Sequence, residues 1–466
     1  MNLPKNELNH KTPIPQPDHT FSDGCFVNKN SPSRNEPKRK LLEKEIIGSS
    51  VNIGRPSCKR QFLSERQKNG NITNLNVEYA PYNPQRDSNG MEKSKVYFTD
   101  FRTKYGGLSL PAKLQKLAKK AGIENIDFNN KFVAIKMHFG ELGNISYLRP
   151  NYAKAIVDLV KELGGKPYLT DCNTMYPGSR KNGIEHLYCA WENGFTPMTV
   201  GCPVIIGDGI KGTDDIAVPV EGAEYSKEAI IGRAVMDADV FISLTHFKGH
   251  EITGFGGTIK NIGMGCGSRA GKTDMHCNSK PVISAKKCRG CKRCMRECAN
   301  GGLVFDEAAG KMTISDKCVG CGRCLGACAF DAISFAYDQA ISVLNAKMAE
   351  YTKAVVDGRP SFHISLVVDV SPYCDCHGEN DAPILPNIGM FASFDPVALD
   401  QACADACKKA TPIRNSVLGD NMAAADFEDH HDHFKNTTPE SEWETQLIHG
   451  EKIGLGTRKY ELITIK

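Results

Sequence analysis

The sequence predicts an α/β fold: a mostly parallel sheet with helices on both faces, an inserted α+β segment and a disordered N-terminal extension. From Lys95 onward, short β-branched runs alternate with stretches of helical periodicity, an order typical of parallel sheets. A dense group of cysteines interrupts this alternation between residues 280 and 337. The 466 residues also exceed what one hydrophobic core usually accommodates, so more than one structural unit is expected.

We divide the chain into four segments. Residues 1–94 are rich in Asn, Pro, Ser and charge and lack sustained periodicity, so they bury too little apolar surface to offset the entropy of ordering. The first part of the α/β domain spans 95–279, the cysteine-rich insertion 280–337, and the second part of the α/β domain 338–466.

The elements of the α/β domain follow from hydrophobic periodicity and from helix and turn signals. Strands are predicted at 132–137, 166–170, 203–206, 240–244, 363–368 and 388–392. Helices are predicted at 151–163, 181–193, 227–237, 338–356 and 396–408. Open α/β sheets bind ligands at the carboxyl ends of their strands, so polar residues just after these strands are candidate site residues.

Composition argues against several classes of protein. The chain has 58 Lys and Arg against 54 Asp and Glu, and the two are nearly balanced after residue 94, unlike a nucleic-acid-binding body with a basic face. No apolar run reaches 18 residues, and the first 30 residues lack the apolar stretch of a secretory signal. We therefore expect a soluble, cytoplasmic protein without nucleic-acid or membrane partners. Its 19 cysteines are then reduced thiols and metal ligands rather than disulfides.

The insertion contains the same cysteine spacing twice, 30 residues apart. The two patterns are Cys288-x-x-Cys291-x-x-Cys294-x-x-x-Cys298 and Cys318-x-x-Cys321-x-x-Cys324-x-x-x-Cys328. This doubled spacing is typical of bacterial ferredoxins with two 4Fe-4S clusters, in which the fourth cysteine of each pattern binds the other cluster. We expect one cluster on Cys288, Cys291, Cys294 and Cys328, and the other on Cys318, Cys321, Cys324 and Cys298.

Details around the cysteines bear on this interpretation. Gly290, Gly320 and Gly322 suit a loop whose backbone N–H groups point at cluster sulfurs. Bacterial ferredoxins usually have Pro after the fourth cysteine, whereas Ala299 and Ala329 occupy those positions here. Pro supplies no ligand, so this departure affects the turn and not ligation. The alternative is a pair of Cys-x-x-Cys zinc sites, which the doubled four-cysteine pattern fits less well.

Motifs outside the insertion resemble a known family. They are the block from His246 to Cys277, which contains the glycine-rich run 254–267, and the segments 136–141, 171–174 and 394–400. Taken in their order along the chain, they resemble the iron–sulfur proteins called domain of unknown function 362, over about residues 95–466. The resemblance implies a soluble protein with an α/β body, a ferredoxin-like segment inserted after the glycine-rich block, and no established reaction.

The glycine-rich run follows a predicted strand, and we expect it to form a loop. Such a loop can bind phosphate through backbone N–H groups, but neither the Walker spacing nor G-x-G-x-x-G fits, and close backbone packing is the better interpretation.

This block also concentrates cationic and proton-transferring side chains. His138 and Glu141, just after another predicted strand, are expected to join the same pocket. The candidate catalytic residues are His246, Lys248, His250, Arg269, Lys272 and His276.

A second constellation follows the strand predicted at 363–368. Cys374, Cys376 and His377, with nearby carboxylates, offer soft ligands for an additional divalent metal, and a Cys-x-Cys pair can also be redox active. Reduced loop thiols without metal are the structural alternative.

Two functions are consistent with these patterns. The first is an oxidoreductase, in which two clusters supply single electrons and the cationic residues bind a small-molecule substrate and move protons. The second is a non-enzymatic electron carrier or an iron–sulfur assembly factor that docks a redox partner protein. An enzyme requires a pocket near a cluster lined by the candidate residues, whereas a carrier requires an exposed cluster edge.

Overall fold

The structure, a computed structural model, describes residues 85–86 and 92–466. The strands of the body are β1 Gln85–Arg86, β2 Glu92–Asp100, β3 Phe132–Lys136, β4 Lys166–Asp171, β5 Val204–Ile206, β6 Asp215–Pro219, β7 Glu228–Gly232, β8 Val240–His246, β9 Lys248–His250 and β10 Gly254–Gly256. They continue after the insertion with β15 Ser361–Val367, β16 Gly389–Ser393 and β17 Tyr460–Thr464, and the insertion contributes β11 Val282–Ile283, β12 Leu303–Asp306, β13 Lys311–Ile314 and β14 Ile333–Ser334.

The helices before the insertion are α1 Leu110–Lys120, α2 Pro150–Glu162, α3 Gly183–Glu192, α4 Pro197–Val200, α5 Arg233–Met236, α6 Thr258–Cys266 and α7 Arg269–His276. The insertion contains α8 Arg293–Arg296 and α9 Arg323–Ala327. The remaining helices are α10 Ile341–Val356, α11 Pro396–Lys408, α12 Val417–Ala423, α13 His433–Thr437 and α14 Glu444–Lys452. No helix in the described part of the chain is long and apolar enough to cross a membrane.

A nine-stranded sheet forms the centre of the body. Its strand order is β1-β2-β16-β15-β8-β3-β4-β5, and β17 also pairs with β2. The central strands β15, β8, β3, β4 and β5 run parallel to one another, whereas β16 is antiparallel to both of its neighbours. The prediction of a mostly parallel α/β sheet is therefore confirmed.

Helices cover both faces of this sheet. Strand β8 is buried along its whole length, and its side chains alternate between two hydrophobic clusters because successive residues of a strand point to opposite faces. Val240, Ile242 and Leu244 pack in the cluster that contains α1 to α4. Phe241 packs in the other, which contains α6, α10, α11 and α14. The two clusters fix the sheet between two helical layers.

Most predicted elements of the body occur within three residues of their expected ends, and α11 spans 396–408 as predicted. The helix predicted at 227–237 is wrong. Its first half is strand β7, which pairs with β6, because the adjacent β-branched residues Ile230 and Ile231 fit a sheet; only Arg233–Met236 is helical. The extension predicted for 1–94 falls largely on residues outside the described part, although β1 and the start of β2 lie within that range.

The glycine-rich run forms β10 and helix α6 rather than a loop. Its glycines permit close approach: a Cβ at Gly263 would collide with the Met348 carbonyl of α10, and one at Gly265 would collide with the Lys136 ammonium. The close-packing interpretation of this run is therefore the one that the structure supports.

Residues 394–400 stabilise two helix starts. Asp395 Oδ1 accepts the N–H groups of Val397 (2.8 Å) and Ala398 (3.0 Å) at the start of α11. Asp400, one turn later, accepts the N–H groups of Thr258 (2.6 Å) and Ile259 (2.9 Å) at the start of α6. These carboxylates satisfy N–H groups that a helix cannot bond internally, so this motif has a structural role.

The insertion repeats its sequence pattern in its structure. Strands β11 and β14 form one antiparallel pair, and β12 and β13 form another. The short helices α8 and α9 carry Cys294 and Cys324, which occupy equivalent positions of the two repeats. Gly290 and Gly320 both take positive φ, as do the equivalent residues Lys292 and Gly322.

Candidate functional site

A cavity of about 520 Å³ lies at the carboxyl ends of the adjacent parallel strands β15, β8, β3 and β4. The loops after these strands and the glycine-rich helix α6 supply its walls, as expected for an open α/β sheet. Its polar lining includes Lys136, His138, Glu141, Asp171, Arg180, His246, Lys248, His250, Glu251, Lys260, Lys272, His276, Cys374, Asp375, Cys376 and His377. Five of the six candidate catalytic residues line this main cavity; Arg269 does not.

Two lysines surround the Cys374 sulfur. Cys374 is 1% exposed, and its Sγ lies 3.6 Å from Lys248 Nζ and 3.4 Å from Lys260 Nζ. The Cys376 thiol donates to it, which lowers the pKa of Cys374 well below the ordinary value against the effect of burial, and the two lysines add to this. The same contact raises the pKa of Cys376 well above its ordinary value. One hydrogen bond therefore links the two sulfurs, with Cys376 as its donor.

His246 is held in the wall of the cavity. Its Nδ1 lies 2.9 Å from an oxygen of the buried Asp375, and its Nε2 lies 2.7 Å from the Val368 carbonyl. Burial by itself raises the pKa of Asp375, but His246 and Lys248 outweigh it and lower that pKa to about 2. Both imidazole nitrogens face acceptors, so His246 positions the 371–379 loop and has no free nitrogen to offer a substrate.

His250 and His276 are neutral bases at the cavity wall. His250 Nδ1 accepts the N–H groups of Ile252 (3.0 Å) and Thr253 (3.1 Å), so the ring proton lies on Nε2. Burial, followed by Lys260, lowers the pKa of His250. Burial also lowers the pKa of His276 to about 3, with Lys260 and His250 adding to the effect. Both imidazoles are therefore uncharged, weak bases near neutral pH.

Lys272 and Arg269 bind backbone carbonyls. Lys272 Nζ donates to the Gly267 carbonyl (2.6 Å) and approaches those of Gly265 and Cys172 (3.4 Å each). Arg269 donates to the carbonyls of Thr174 (3.2 Å), Lys211 (2.9 Å) and Lys181. It lines a second cavity of about 500 Å³, between the body and the insertion. The structure thus gives both residues a positioning task.

Buried ion pairs support the floor of the main cavity. Lys136 Nζ lies 3.1 Å from Asp171 Oδ1, and both side chains are at most 3% exposed. Arg180 bonds Glu141 Oε2 (3.1 Å), His138 Nε2 (2.9 Å) and the Tyr176 hydroxyl (2.7 Å). Burial, followed by the Arg180 charge, lowers the pKa of His138 to about 3.

His138 and Glu141 thus line this cavity together, whereas sequence reasoning missed Arg180. Its only signal is that it lies nine residues after the Asp171 strand end.

The 371–379 loop meets a carboxylate that the sequence analysis also missed. Glu251, Cys376 and His377 offer ligand-type atoms that all lie within 4.8 Å of one another, and they form the one group of this kind in the described ranges. Glu251 Oε1 lies 2.9 Å from His377 Nε2, which raises the pKa of His377. Glu251 directly follows the candidate His250, a proximity that could have indicated it.

In the insertion, four cysteines converge. Cys288, Cys291, Cys294 and Cys328 line one small cavity, and Cys291 is exposed. Burial raises the pKa of Cys324 to about 12, and the neighbouring Cys321, Cys294 and Cys318 add to it.

Backbone N–H groups also point at cysteine sulfurs at matching positions of the repeats. The Gly302 N–H lies 3.2 Å from Cys298 Sγ, and the Ala332 N–H lies 3.3 Å from Cys328 Sγ.

Helix α7 contacts both the main cavity and the insertion. Lys272 and His276 line that cavity, whereas Thr273 contacts Gly322 and the Arg269 guanidinium contacts Gly326 in α9, two residues from Cys324. Positions spaced i, i+3, i+4 and i+7 share one face of an α-helix, so the insertion and the cavity meet neighbouring residues of the same face of α7.

Comparison with known proteins identifies a family without an assigned activity. No curated protein matches the chain. The lactate racemase apoprotein from Thermoanaerobacterium thermosaccharolyticum has a TM-score of 0.34 and 12% identity over 76% of this chain and 81% of that one. A structural-genomics protein from Thermotoga maritima has a TM-score of 0.33 and 12% identity over 67% of this chain and 59% of that one.

The family described as "Domain of unknown function (DUF362)" matches residues 133–405, more than half of the chain. This match spans the strands, the glycine-rich helix and the loop that build the main cavity. The chain therefore belongs to the DUF362 family.

Proposed function

We propose that this protein is an iron–sulfur electron-transfer protein with two 4Fe-4S clusters, and that it acts as a ferredoxin-coupled oxidoreductase on a small molecule held in the main cavity. The doubled cysteine pattern of the insertion carries the proposal. One cluster is assigned to Cys288, Cys291, Cys294 and Cys328, and the other to Cys318, Cys321, Cys324 and Cys298. When bound, the clusters supply single electrons.

The spacing of the sulfurs supports iron over zinc. Two thiolates on one tetrahedral zinc ion lie roughly 3.8 Å apart, because each Zn–S bond is about 2.3 Å long. Within the described residues, no three of the eight sulfurs come within 4.8 Å of one another. The four cysteines around the small cavity of the insertion are thus spread too widely for zinc, as a larger iron–sulfur core requires.

The lining of the main cavity supports an enzyme. Lys260 is part-buried, and its Nζ approaches the Cys374 sulfur at 3.4 Å, beside the neutral His250 and His276. An anionic substrate group is stabilised next to Lys260, and the two neutral imidazoles offer hydrogen bonds to it. Cationic and proton-transferring groups beside an electron source are what a reductive step needs.

Exposure of Cys291 favours the second candidate, a carrier or iron–sulfur assembly factor, because it brings one edge of the assigned cluster to the surface. The cavity and its cationic lining favour the enzyme, since a carrier has no need of either. We place the enzyme first.

Metal analysis of anaerobically purified protein tests the proposal. We expect about eight iron and eight sulfide per chain, and EPR signals of two coupled reduced cubanes after dithionite reduction. Little iron, with zinc at the eight cysteines, would overturn it. To separate the oxidoreductase from an assembly factor, the loaded protein is incubated with an apo-ferredoxin: an assembly factor transfers iron, whereas an oxidoreductase retains it.

A further inference from the structure

The turn between β9 and β10 and the loop after β15 bring three different ligand types together. Glu251 comes from the turn, and Cys376 and His377 come from the loop, more than 120 residues later. A carboxylate oxygen, a thiol sulfur and an imidazole nitrogen all lie within 4.8 Å of one another at the mouth of the main cavity.

The three side chains are held in a ligand-like arrangement. Glu251 Oε2 accepts the Cys374 N–H (3.2 Å), which leaves Oε1 directed at His377 Nε2, 2.9 Å away. Two oxygen or nitrogen ligands of one tetrahedral zinc ion lie roughly 3.3 Å apart. Only a small increase in the distance between Glu251 Oε1 and His377 Nε2 is therefore needed for both atoms to bind one ion.

Hydrogen bonds also hold the loop backbone. Asn144 Nδ2 donates to the His377 carbonyl (3.0 Å), and the Tyr176 hydroxyl donates to that of Cys376 (3.4 Å). Outer bonds of this kind orient the ligands of a metal site.

We propose that Glu251, Cys376 and His377 bind a divalent metal ion, with Zn²⁺ as the best match, and leave one coordination position open to the main cavity. One sulfur, one nitrogen and one carboxylate oxygen are ligand types that zinc accepts together. Three protein ligands plus an open position are the arrangement of catalytic rather than structural zinc sites.

Cys374 is not a ligand in this assignment, although it is two residues from Cys376. Its sulfur lies against the ammonium groups of Lys248 and Lys260, and a dication at that sulfur would be repelled by both. Of the sequence pattern Cys374, Cys376 and His377, only the last two residues are metal ligands in this assignment. Glu251 is the third ligand in place of Cys374.

The open position determines which molecules the site takes. All three ligands line the main cavity, so the fourth ligand is water or a carboxylate or carbonyl oxygen of a substrate, which the ion polarises. The proposal does not depend on whether the eight cysteines of the insertion bind iron.

The test measures zinc directly. Chelator-treated, anaerobic protein is dialysed against micromolar Zn²⁺, and zinc and iron per chain are counted on the same samples. Wild type is compared with Glu251→Gln, Cys376→Ser and His377→Gln. Cys374→Ser is the matched control next to the site, and Cys407→Ser is a control at a buried position of α11. X-ray absorption of zinc-loaded wild type, which needs no variant to fold, counts the sulfur ligands.

We expect one zinc ion per chain in wild type and both controls, its loss in the three ligand variants, and one sulfur among the zinc ligands. The iron count separates this result from that of the cluster assignment. The proposal is overturned by absence of this zinc, by zinc that survives Glu251→Gln, by its loss in Cys374→Ser, or by two sulfur ligands in the absorption spectrum.

Discussion

The insertion and the 371–379 loop are both rich in cysteine, but they are built in different ways. In the insertion, all eight sulfurs lie on two short segments, 288–298 and 318–328, so local spacing brings them together. In the loop, Cys374 and Cys376 obtain their chemical character from Lys248, Lys260 and Glu251, which are more than 100 residues away in sequence. A local pattern can therefore be predicted from spacing, whereas the character of the loop thiols depends on the fold of the body.

The largest expected effect is the loss of a cluster from the insertion. Cys324→Ser removes a buried ligand of the second assigned cluster, so iron and sulfide should fall by about half, to roughly four of each per chain. Circular dichroism of the body should remain unchanged, because the insertion has its own small core. Cys407→Ser is the control; iron at the wild-type level in Cys324→Ser would contradict the assignment.

In the body, the buried Lys136–Asp171 pair should have the next largest effect. Lys136→Met leaves Asp171 as a buried charge without its main partner, which costs about 3–5 kcal/mol of unfolding free energy. Lys154→Met is the matched control, since its pair with Asp158 is exposed on α2 and contributes less than about 1 kcal/mol. Denaturant unfolding measures both, and equal losses would show that burial is not the cause.

A smaller effect is expected at Asp400. Asp400→Ala removes the acceptor of two N–H groups at the start of α6 and should cost about 2 kcal/mol. Asp400→Asn keeps one acceptor oxygen and should cost less. The melting temperatures of the two variants test this order, and the iron content is expected to stay constant. Iron loss in Asp400→Ala would mean that this motif stabilises the insertion as well as the body.

The smallest effect concerns pH. Burial in β15 lowers the pKa of His363 to about 3. At pH values between about 3 and 6.5, His363 is therefore protonated in the unfolded chain but neutral in the native state. This contribution to stability is present above pH 6.5 and is lost as the pH falls, by about 1.4 kcal/mol between pH 7.5 and 5.5.

Thermal unfolding at the two pH values measures it, and the loss should be smaller in His363→Gln. His431→Gln, at an exposed side chain, should keep the wild-type pH response. An unchanged response in His363→Gln would place the acid sensitivity elsewhere.

Part of the candidate site could be predicted because strand ends are visible in a sequence. His138 and Glu141 follow β3, and Cys374, Cys376 and His377 follow β15, and the parallel sheet brings these ends to one cavity. Helix α6 was missed because its glycines disfavour helix, and a carboxylate from α11 stabilises its start.

The sequence by itself determined the α/β class, the doubled cysteine pattern and the strand ends that meet at the cavity, because these depend on periodicity and spacing along the chain. Only the tertiary structure decided which side chains are free to act. His246, Lys272 and Arg269 are held by Asp375 and by backbone carbonyls, whereas Lys260 remains beside Cys374 and Glu251 joins Cys376 and His377. The reason is physical: partners that lie far apart in sequence, and the burial they share, exist only after the sheet has formed.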